Sequence, residues 1–367
     1  MIPINAPQIG EEEIEAVVKV MKSGVLTHGL GTGPMVTKFE KAFAKLVKTK
    51  HAIAVNTGTS ALHSVIVGTG IEKGDEIILP SFTFVATAEV IAMVGAKPVF
   101  VDIHPETYNI YPKKIEKAIT KKTRAIMPVD LYGLPAEMQR IREIAGKYGL
   151  TIVEDAAQAH GASYNGHPPG AFADAACWSF YASKNMTTGE GGMITTNDDE
   201  LAEKISFIRS HGEKEKYKSF MLGHNYRMPE IQAAIGYVQL KKLAKFSAKR
   251  RENSERLSVR LRKADSLNLP KEPKSYKHSW YLYTVRLKDT HVKKRDKIVE
   301  ALKQKGIGAE VYYATPIHTM PYYRNFGKYS LLETEKAAKQ VFSLPVHPGV
   351  TAEQIDFIGE SVLCSIA

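Results

Sequence analysis

Short apolar runs recur along the first half of the chain, each separated from the next by enough residues for one helix, and this alternation constrains the fold more than any other feature. The runs are Ala52-Ile53-Ala54-Val55, Glu76-Ile77-Ile78-Leu79, Pro98-Val99-Phe100-Val101, Ala125-Ile126-Met127-Pro128-Val129 and Leu150-Thr151-Ile152-Val153. Each suits a strand, and helical patterns lie between them. Strands apolar on both faces that alternate with helices predict an α/β fold, a mainly parallel sheet covered on both sides. Ala175-Ala176-Cys177-Trp178 reads as a further buried strand. A chain of 367 residues exceeds one ordinary core, so two domains are expected. After a basic helix the pattern changes to Tyr281-Leu282-Tyr283-Thr284-Val285, a helix from about Lys294 to Lys305 and Gly306-Ile307-Gly308. The expected division is a large α/β domain over 1–240 and a smaller C-terminal α+β domain over 241–367 that includes the linking basic helix.

Ligands of such sheets bind beyond the carboxyl ends of the strands, and the chemically capable residues fall there. Lys184 stands where the Ala175–Trp178 strand opens into the turn-rich Thr187-Thr188-Gly189-Glu190-Gly191-Gly192. Partial desolvation there would favour a neutral, nucleophilic amine, although most lysines are solvated surface charges. Asp155 ends another strand, with Gln158 just beyond it. A lysine nucleophile and an acid at two strand ends are the protein groups that a pyridoxal phosphate site needs. Thr57-Gly58-Thr59-Ser60 joins a strand to a helix, where free amides and hydroxyls suit a phosphate as well as an ordinary N-cap. Ser179 offers one more hydroxyl. Phe84 can stack on a flat ring, and Asp155 can hold a ring nitrogen protonated.

The formal net charge of +11 gathers in residues 241–263, where Lys241, Lys242, Lys245, Lys249, Arg250, Arg251, Arg256, Arg260, Arg262 and Lys263 face only Glu252 and Glu255. Leu243, Phe246, Leu257 and Leu261 share a stripe, which predicts a long helix with a solvated basic face. The functional reading is attraction of a polyanion. Without interleaved aromatics, a small diphosphate suits it better than nucleic acid. No basic leader runs into an apolar stretch and no run is long enough to cross a bilayer, so a cytoplasmic protein without membrane contact is expected. Cys177 and Cys364 make no metal cluster, and no metal is expected.

The motifs Gly33-Pro34 with Phe39-Glu40, Asn56-Thr57-Gly58-Thr59-Ser60-Ala61-Leu62, Gly74-Asp75-Glu76, Glu154-Asp155-Ala156-Ala157-Gln158-Ala159-His160-Gly161, Ser179-Phe180 with Lys184, Gly189-Glu190-Gly191-Gly192 and Asn225-Tyr226-Arg227-Met228 occur in one order. In them the chain resembles, over nearly its whole length, the DegT/StrS family of sugar aminotransferases, which use pyridoxal phosphate (PLP). The resemblance implies the aspartate-aminotransferase-like fold, fold type I. It implies that Lys184 bonds the cofactor covalently, Asp155 pairs with its pyridine nitrogen and Gln158 bonds its ring hydroxyl. Gly58, Thr59 and Ser179 would bind the phosphate, and Phe84 would stack on the ring. Asn225 would reach the phosphate of a neighbouring subunit, which implies a homodimer. The residue before it, commonly aromatic in the family, is His224.

By the same resemblance the amino donor is an amino acid, glutamate, and the acceptor a ketone on a nucleotide-linked deoxy sugar, in amino-sugar and surface-polysaccharide biosynthesis. Relatives that remove a sugar hydroxyl carry histidine at the lysine position, so Lys184 argues for transamination. Thr188-Gly189-Glu190-Gly191-Gly192 points to C4, since 3-keto enzymes more often have aspartate at the glutamate. Thr27, His28, Tyr313 and His318 are candidates to line the sugar site. The alternatives are a 3-keto sugar aminotransferase, another pyridoxal enzyme, and a regulator that binds nucleic acid through the basic stretch.

Overall fold

The computed structural model describes residues 1–288 and 294–366. The apolar runs become strands: β1 (His51–Val55), β2 (Glu76–Pro80), β3 (Lys97–Val101), β4 (Thr123–Ile126), β5 (Thr151–Asp155), the short β6 (Ser163–Tyr164), β7 (Ala175–Ser179) and β8 (Gly192–Thr196). Seven of them form one sheet in the order β1-β8-β7-β5-β4-β2-β3, parallel except where β8 pairs with β1 and β7. The helices of this half are α1 (Glu11–Ser23), α2 (Pro34–Val47), α3 (Gly58–Gly68), α4 (Ala86–Met93), α5 (Pro112–Ala118), α6 (Met138–Tyr148), α7 (Asp199–Arg209) and α8 (Glu230–Leu261).

Successive strand residues point to opposite faces, and both faces are covered, which is why the runs are apolar throughout. Ile53, Val55, Ile77, Leu79 and Cys177 pack with residues of α3, α4 and α7. On the other face Ala54, Ala176 and Trp178 meet Phe39 and Phe43 of α2, while Ile78, Ile126 and Ile152 meet α5 and α6. Glycine and proline residues from 24 to 34 suggest a loop, but it ends at Gly33, the N-cap of α2, whose first residue is Pro34.

Beyond a two-stranded ribbon, β9 (Glu213–Glu215) with β10 (Lys218–Ser219), the C-terminal part is α+β. It contains β11 (Leu267–Asn268), β12 (Tyr276–Lys277), β13 (Tyr283–Leu287), α9 (Arg295–Gln304), α10 (Leu332–Gln340), β14 (Val341–Leu344) and α11 (Ala352–Ile366). An antiparallel sheet β11-β13-β14 packs on Leu257 and Leu261 of α8, Leu302 of α9 and Ile358 of α11. The N-terminus joins this core: Ile2 N donates to Gly306 O at 2.7 Å and Gly308 N to Ile2 O at 2.8 Å. The division expected at residue 240 therefore falls inside one continuous helix, and the first residues belong with the smaller core.

The basic stretch is helical, but much of its charge is consumed inside the fold. Arg250 is buried; Lys242 pairs with Glu12 and Glu13, Arg251 with Glu272, and both Arg256 and Arg260 with Asp356. The expected solvated basic face is present in the exposed Lys241, Lys245, Arg256, Arg260, Arg262 and Lys263, but several cations of the stretch also tie α1, α11 and the C-terminal loops to the helix.

Candidate active site

The carboxyl ends of β1, β2, β4, β5 and β7 open on one edge of the sheet, and the antiparallel β8 begins at that same edge with Gly192. Two glycines let the turn after β1 drop onto the end of β7. A Cβ at Gly58 would stand 2.8 Å from the Ser179 Cβ, and one at Gly192 would stand 2.2 Å from the Thr57 carbonyl oxygen. The Thr57 hydroxyl caps α3 by accepting from Ser60 N at 3.0 Å. That leaves the first-turn amides of Gly58 and Thr59 without an intrahelical carbonyl, beside the Ser179 hydroxyl. Such a helix start attracts an anion, so Gly58, Thr59 and Ser179 form a cradle of the kind a phosphate fills.

Asp155 closes β5 and is buried. Its Oδ2 accepts from the Thr87 hydroxyl at 2.9 Å and its Oδ1 from Ala157 N at 3.2 Å. Burial pushes its carboxyl up, opposed by those two bonds and by the charge of Lys184. No cation reaches it within salt-bridge distance among the described residues, so a protonated ring nitrogen would meet a buried carboxylate that has no other charged partner. Lys184 itself is half-buried, and its side chain makes no hydrogen bond or ion pair among the described residues. Its Nζ lies 4.7 Å from the centroid of the Tyr281 ring. Gln158 is fixed at both ends of its amide, Oε1 accepting from Tyr132 N at 2.7 Å and Nε2 donating to the Tyr313 hydroxyl at 3.3 Å.

Phe84 is 56% exposed although Phe82, two residues earlier, is buried, and its ring lies 6.3 Å from that of Tyr313. An uncovered aromatic beside the strand ends suits stacking on a flat ring. The donor set therefore fits pyridoxal phosphate at each end: an anion cradle, a stacking face, an acid for the nitrogen and an uncommitted amine.

The structure brings Lys184, Asp155, Gln158 and Tyr313 together and sets Gly58, Thr59, Ser179 and Phe84 on the same edge of the sheet. Four other expected residues stand apart. Thr27 and His28 are exposed in the loop between α1 and α2, where His28 Nδ1 lies 3.1 Å from the Thr32 hydroxyl, and neither bonds a cofactor candidate among the described residues. That loop is anchored from beneath, since Arg209 donates to Leu30 O at 3.4 Å and pairs with Glu40 at 2.7 Å. His318 is buried, with Nδ1 2.7 Å from the Ser81 hydroxyl and Nε2 3.4 Å from Glu335, so both ring nitrogens are engaged inside the protein. Asn225 is exposed and only its backbone is bonded, its carbonyl accepting from Asn56 Nδ2 at 3.4 Å. His224 stacks on Tyr226 at 4.7 Å.

Several participants carry no local signal. Thr87 lies inside α4, Tyr132 acts through its backbone, and Tyr281 reads as the start of a strand. Ser279 and Asn185 meet through an amide-to-carbonyl bond of 2.9 Å that only the tertiary fold creates.

The family profile for DegT/DnrJ/EryC1/StrS aminotransferases matches residues 7–363. A "pleiotropic regulatory protein" of Geobacillus stearothermophilus is 42% identical over 360 residues, covering 97% of this chain and 94% of its own. A GDP-perosamine synthase of Caulobacter vibrioides is 39% identical over 358 residues, covering 97% and 95%. Among solved structures, Helicobacter pylori PseC, an aminotransferase involved in pseudoaminic acid biosynthesis, superposes with a TM-score of 0.94 at 32% identity, covering 100% of this chain and 99% of that one.

Proposed function

The chain belongs to the DegT/DnrJ/EryC1/StrS aminotransferase family, and on that premise we propose that it transfers the amino group of glutamate to the C4 ketone of a nucleotide-linked deoxy sugar, with pyridoxal phosphate as cofactor. The observation that carries this reading is the Lys184 amine, free of any ion pair among the described residues, in a cleft that also presents Asp155 and a phosphate cradle. The cofactor supplies an electron sink for the carbanion left when a proton leaves the carbon bearing nitrogen.

The protein does the rest. Lys184 Nζ is the base that takes the proton from the donor's Cα and returns it, and the reverse transfers serve the sugar. Asp155 would keep the ring nitrogen protonated by pairing its carboxylate with the pyridinium, an attraction that its burial strengthens. Gln158, clamped by Tyr132 and Tyr313, orients the ring hydroxyl. Phe84 shields one ring face from water, and Gly58, Thr59 and Ser179 hold the phosphate. Thr27 and His28, exposed on a loop apart from these groups, would meet the sugar only from that loop. His318 would act only through Ser81.

A homodimer completes the site in this reading. Phe84, Tyr181 and Asn225 are uncovered around the cleft, and Tyr217, Phe220 and Leu222 stand 63–83% exposed on and beside the β9–β10 ribbon. A second subunit would cover such apolar surface. Mixing Asn225→Ala with Lys184→Ala subunits should restore one intact site per heterodimer if Asn225 crosses the boundary. Verified heterodimers without activity would remove that assignment.

A cytoplasmic site of action accords with the buried, unpaired Cys177, and no helix among the described residues is long and apolar enough to cross a membrane.

The deciding experiment starts from protein carrying pyridoxamine phosphate and adds keto nucleotide sugars with no amino donor. Recovery of the lysine-bound visible band with a 4-keto sugar, together with an aminated product, supports the reading. Response to 3-keto sugars alone shifts the position of amination, and a response only to unrelated carbonyl compounds sinks the sugar assignment.

A further inference from the structure

The C-terminal domain sends one segment, residues 278–282, into the cleft just before β13. Ser279 N donates to Gly133 O at 2.8 Å, its hydroxyl lies 3.2 Å from both Gly133 O and Gln158 O, and Leu282 N donates to Tyr132 O at 3.2 Å. From the other side Arg250 of α8 donates to the carbonyls of Trp280 and Tyr281 at 3.2 and 3.1 Å. Backbone held from both sides leaves Tyr281 little freedom.

This segment grips three consecutive residues of the lysine loop. The Tyr281 hydroxyl lies 2.9 Å from the Ser183 hydroxyl, Asn185 Nδ2 donates to Ser279 O at 2.9 Å, and between them Lys184 Nζ sits over the Tyr281 ring. Beyond the longer-range charge of Asp155, the ammonium meets the Tyr281 ring face and makes no directed hydrogen bond among the described residues. An ion pair would fix the amine as a charged partner, whereas an aromatic face attracts a cation without occupying its N–H groups in directed bonds. The amine is thereby localised and left uncommitted.

We propose that Tyr281 is the positioning residue of the active lysine, its ring face holding the Lys184 amine at the cofactor site while Ser183 and Arg250 fix the ring. The inference rests on Lys184 being the cofactor lysine. It gives the C-terminal domain a direct part in the chemistry, through a residue in contact with the reactive amine.

The test separates capture by the lysine from binding in the cradle. Pyridoxal phosphate bonds Lys184, whereas pyridoxamine phosphate fills the same site without bonding it. In apo-protein, Tyr281→Leu should slow the appearance of the lysine-bound visible band by about tenfold, the size of a partly desolvated cation–π contact, and leave pyridoxamine phosphate affinity within about twofold. Tyr281→Phe, which keeps the ring, should capture pyridoxal phosphate within about twofold of wild type. Wild-type capture by the leucine variant overturns the proposal, and so does an equal loss of pyridoxamine phosphate affinity, which would mark Tyr281 as a wall of the site. Should the leucine variant not fold, Tyr281→Phe decides: normal capture supports the ring-face seat and a tenfold loss overturns it. Lys184→Ala is run alongside; if it still develops the band, the assignment of the lysine fails, independently of Tyr281.

Discussion

On the sheet side of the cleft, Asp155, Ser179 and the Thr57–Thr59 turn are set by strands whose hydrogen bonds continue to the last residue, and each side chain takes its place from its own strand end. On the opposite side, Tyr281 and Tyr313 belong to segments of the C-terminal part that reach the cleft only through tertiary contacts. Tyr281 is held by Arg250 from α8 and by Ser183 from the lysine loop, and Tyr313 by Gln158. The sheet side supplies charge and proton chemistry, and the docked side supplies placement. Damage on the first side should therefore remove a chemical step, while damage on the second should degrade geometry and leave binding largely intact.

The sharpest break of that comparison is Lys184→Ala, in the loop that the Tyr281 segment grips. We expect no transamination and no lysine-bound visible band, with thermal stability close to wild type, since the side chain is half-buried and makes no hydrogen bond among the described residues. Turnover at the wild-type rate would dissolve the contrast entirely. Next is Asp155→Asn, which keeps the shape and the Thr87 contact but cannot keep a ring nitrogen protonated. The rate should fall about a hundredfold or more, the usual size of a lost proton-holding group, while bound cofactor persists in the absorption spectrum. Near-normal rates would assign Asp155 to structure.

Gly58→Ala attacks the cradle instead. Its Cβ would press on Ser179 at 2.8 Å, too near for either atom to stay, so the hydroxyl or the turn must shift. Loss of one or two phosphate bonds should weaken cofactor affinity by about tenfold, read by equilibrium dialysis, with kcat at saturating cofactor nearly unchanged. A fall in kcat alone would place Gly58 in the chemistry and blur the division.

The two sides also differ in how far the amino-acid sequence discloses them. The parallel sheet is legible because strands buried on both faces must be apolar throughout, and strand ends announce themselves by the turn chemistry that follows, as at Asn56–Ser60 and Asp155–Gln158. Lys184 stands out because a charged residue follows a run as apolar as Ala175–Trp178. Tyr281 is equally close to the chemistry and leaves no such trace: an aromatic at the start of a strand is ordinary core. Arg250 shows the converse. As one of many cations in a row it looks like surface, yet it is 2% exposed and bonds two carbonyls, a role visible only once α8 is laid against residues 280 and 281. His318 misleads similarly, since nothing nearby in the chain reveals Ser81 and Glu335 on its two nitrogens.

Behind Asp155 the sheet side hides a second acidic pair, Asp130 and Glu154, both fully buried. Burial, above all, raises both carboxyls, and Glu154 is pushed up from 4.5 to about 7. A carboxyl whose folded pKa exceeds its unfolded one contributes stability that is complete below about 4.5 and is lost as pH rises through about 7. Glu154→Gln, of the same shape and without a titrating proton, should flatten this dependence. Between pH 5 and 8 wild type should lose on the order of 2 kcal/mol relative to the variant in urea unfolding. Parallel pH profiles for the two proteins would show that the pair does not titrate in this range.

The smallest effect is expected from the cations of α8 and its C-terminal end that the fold leaves unpaired. Lys245, Arg262 and Lys263 are exposed and make no ion pair among the described residues, unlike Arg250, Arg251, Arg256 and Arg260 of the same stretch. Isolated exposed charges act on a diphosphate only through a field that salt screens within about 10 Å. Reversing Lys245, Arg262 and Lys263 together should raise the KM for the nucleotide sugar by no more than about twofold at physiological salt, since steering acts on encounter and not on proton transfer. At low salt the difference should widen, and kcat should stay constant throughout. A large change in kcat would mean that these charges reach the chemistry. Sequence-selective DNA binding that disappears in the reversed variant would give this helix a function separate from both sides of the cleft.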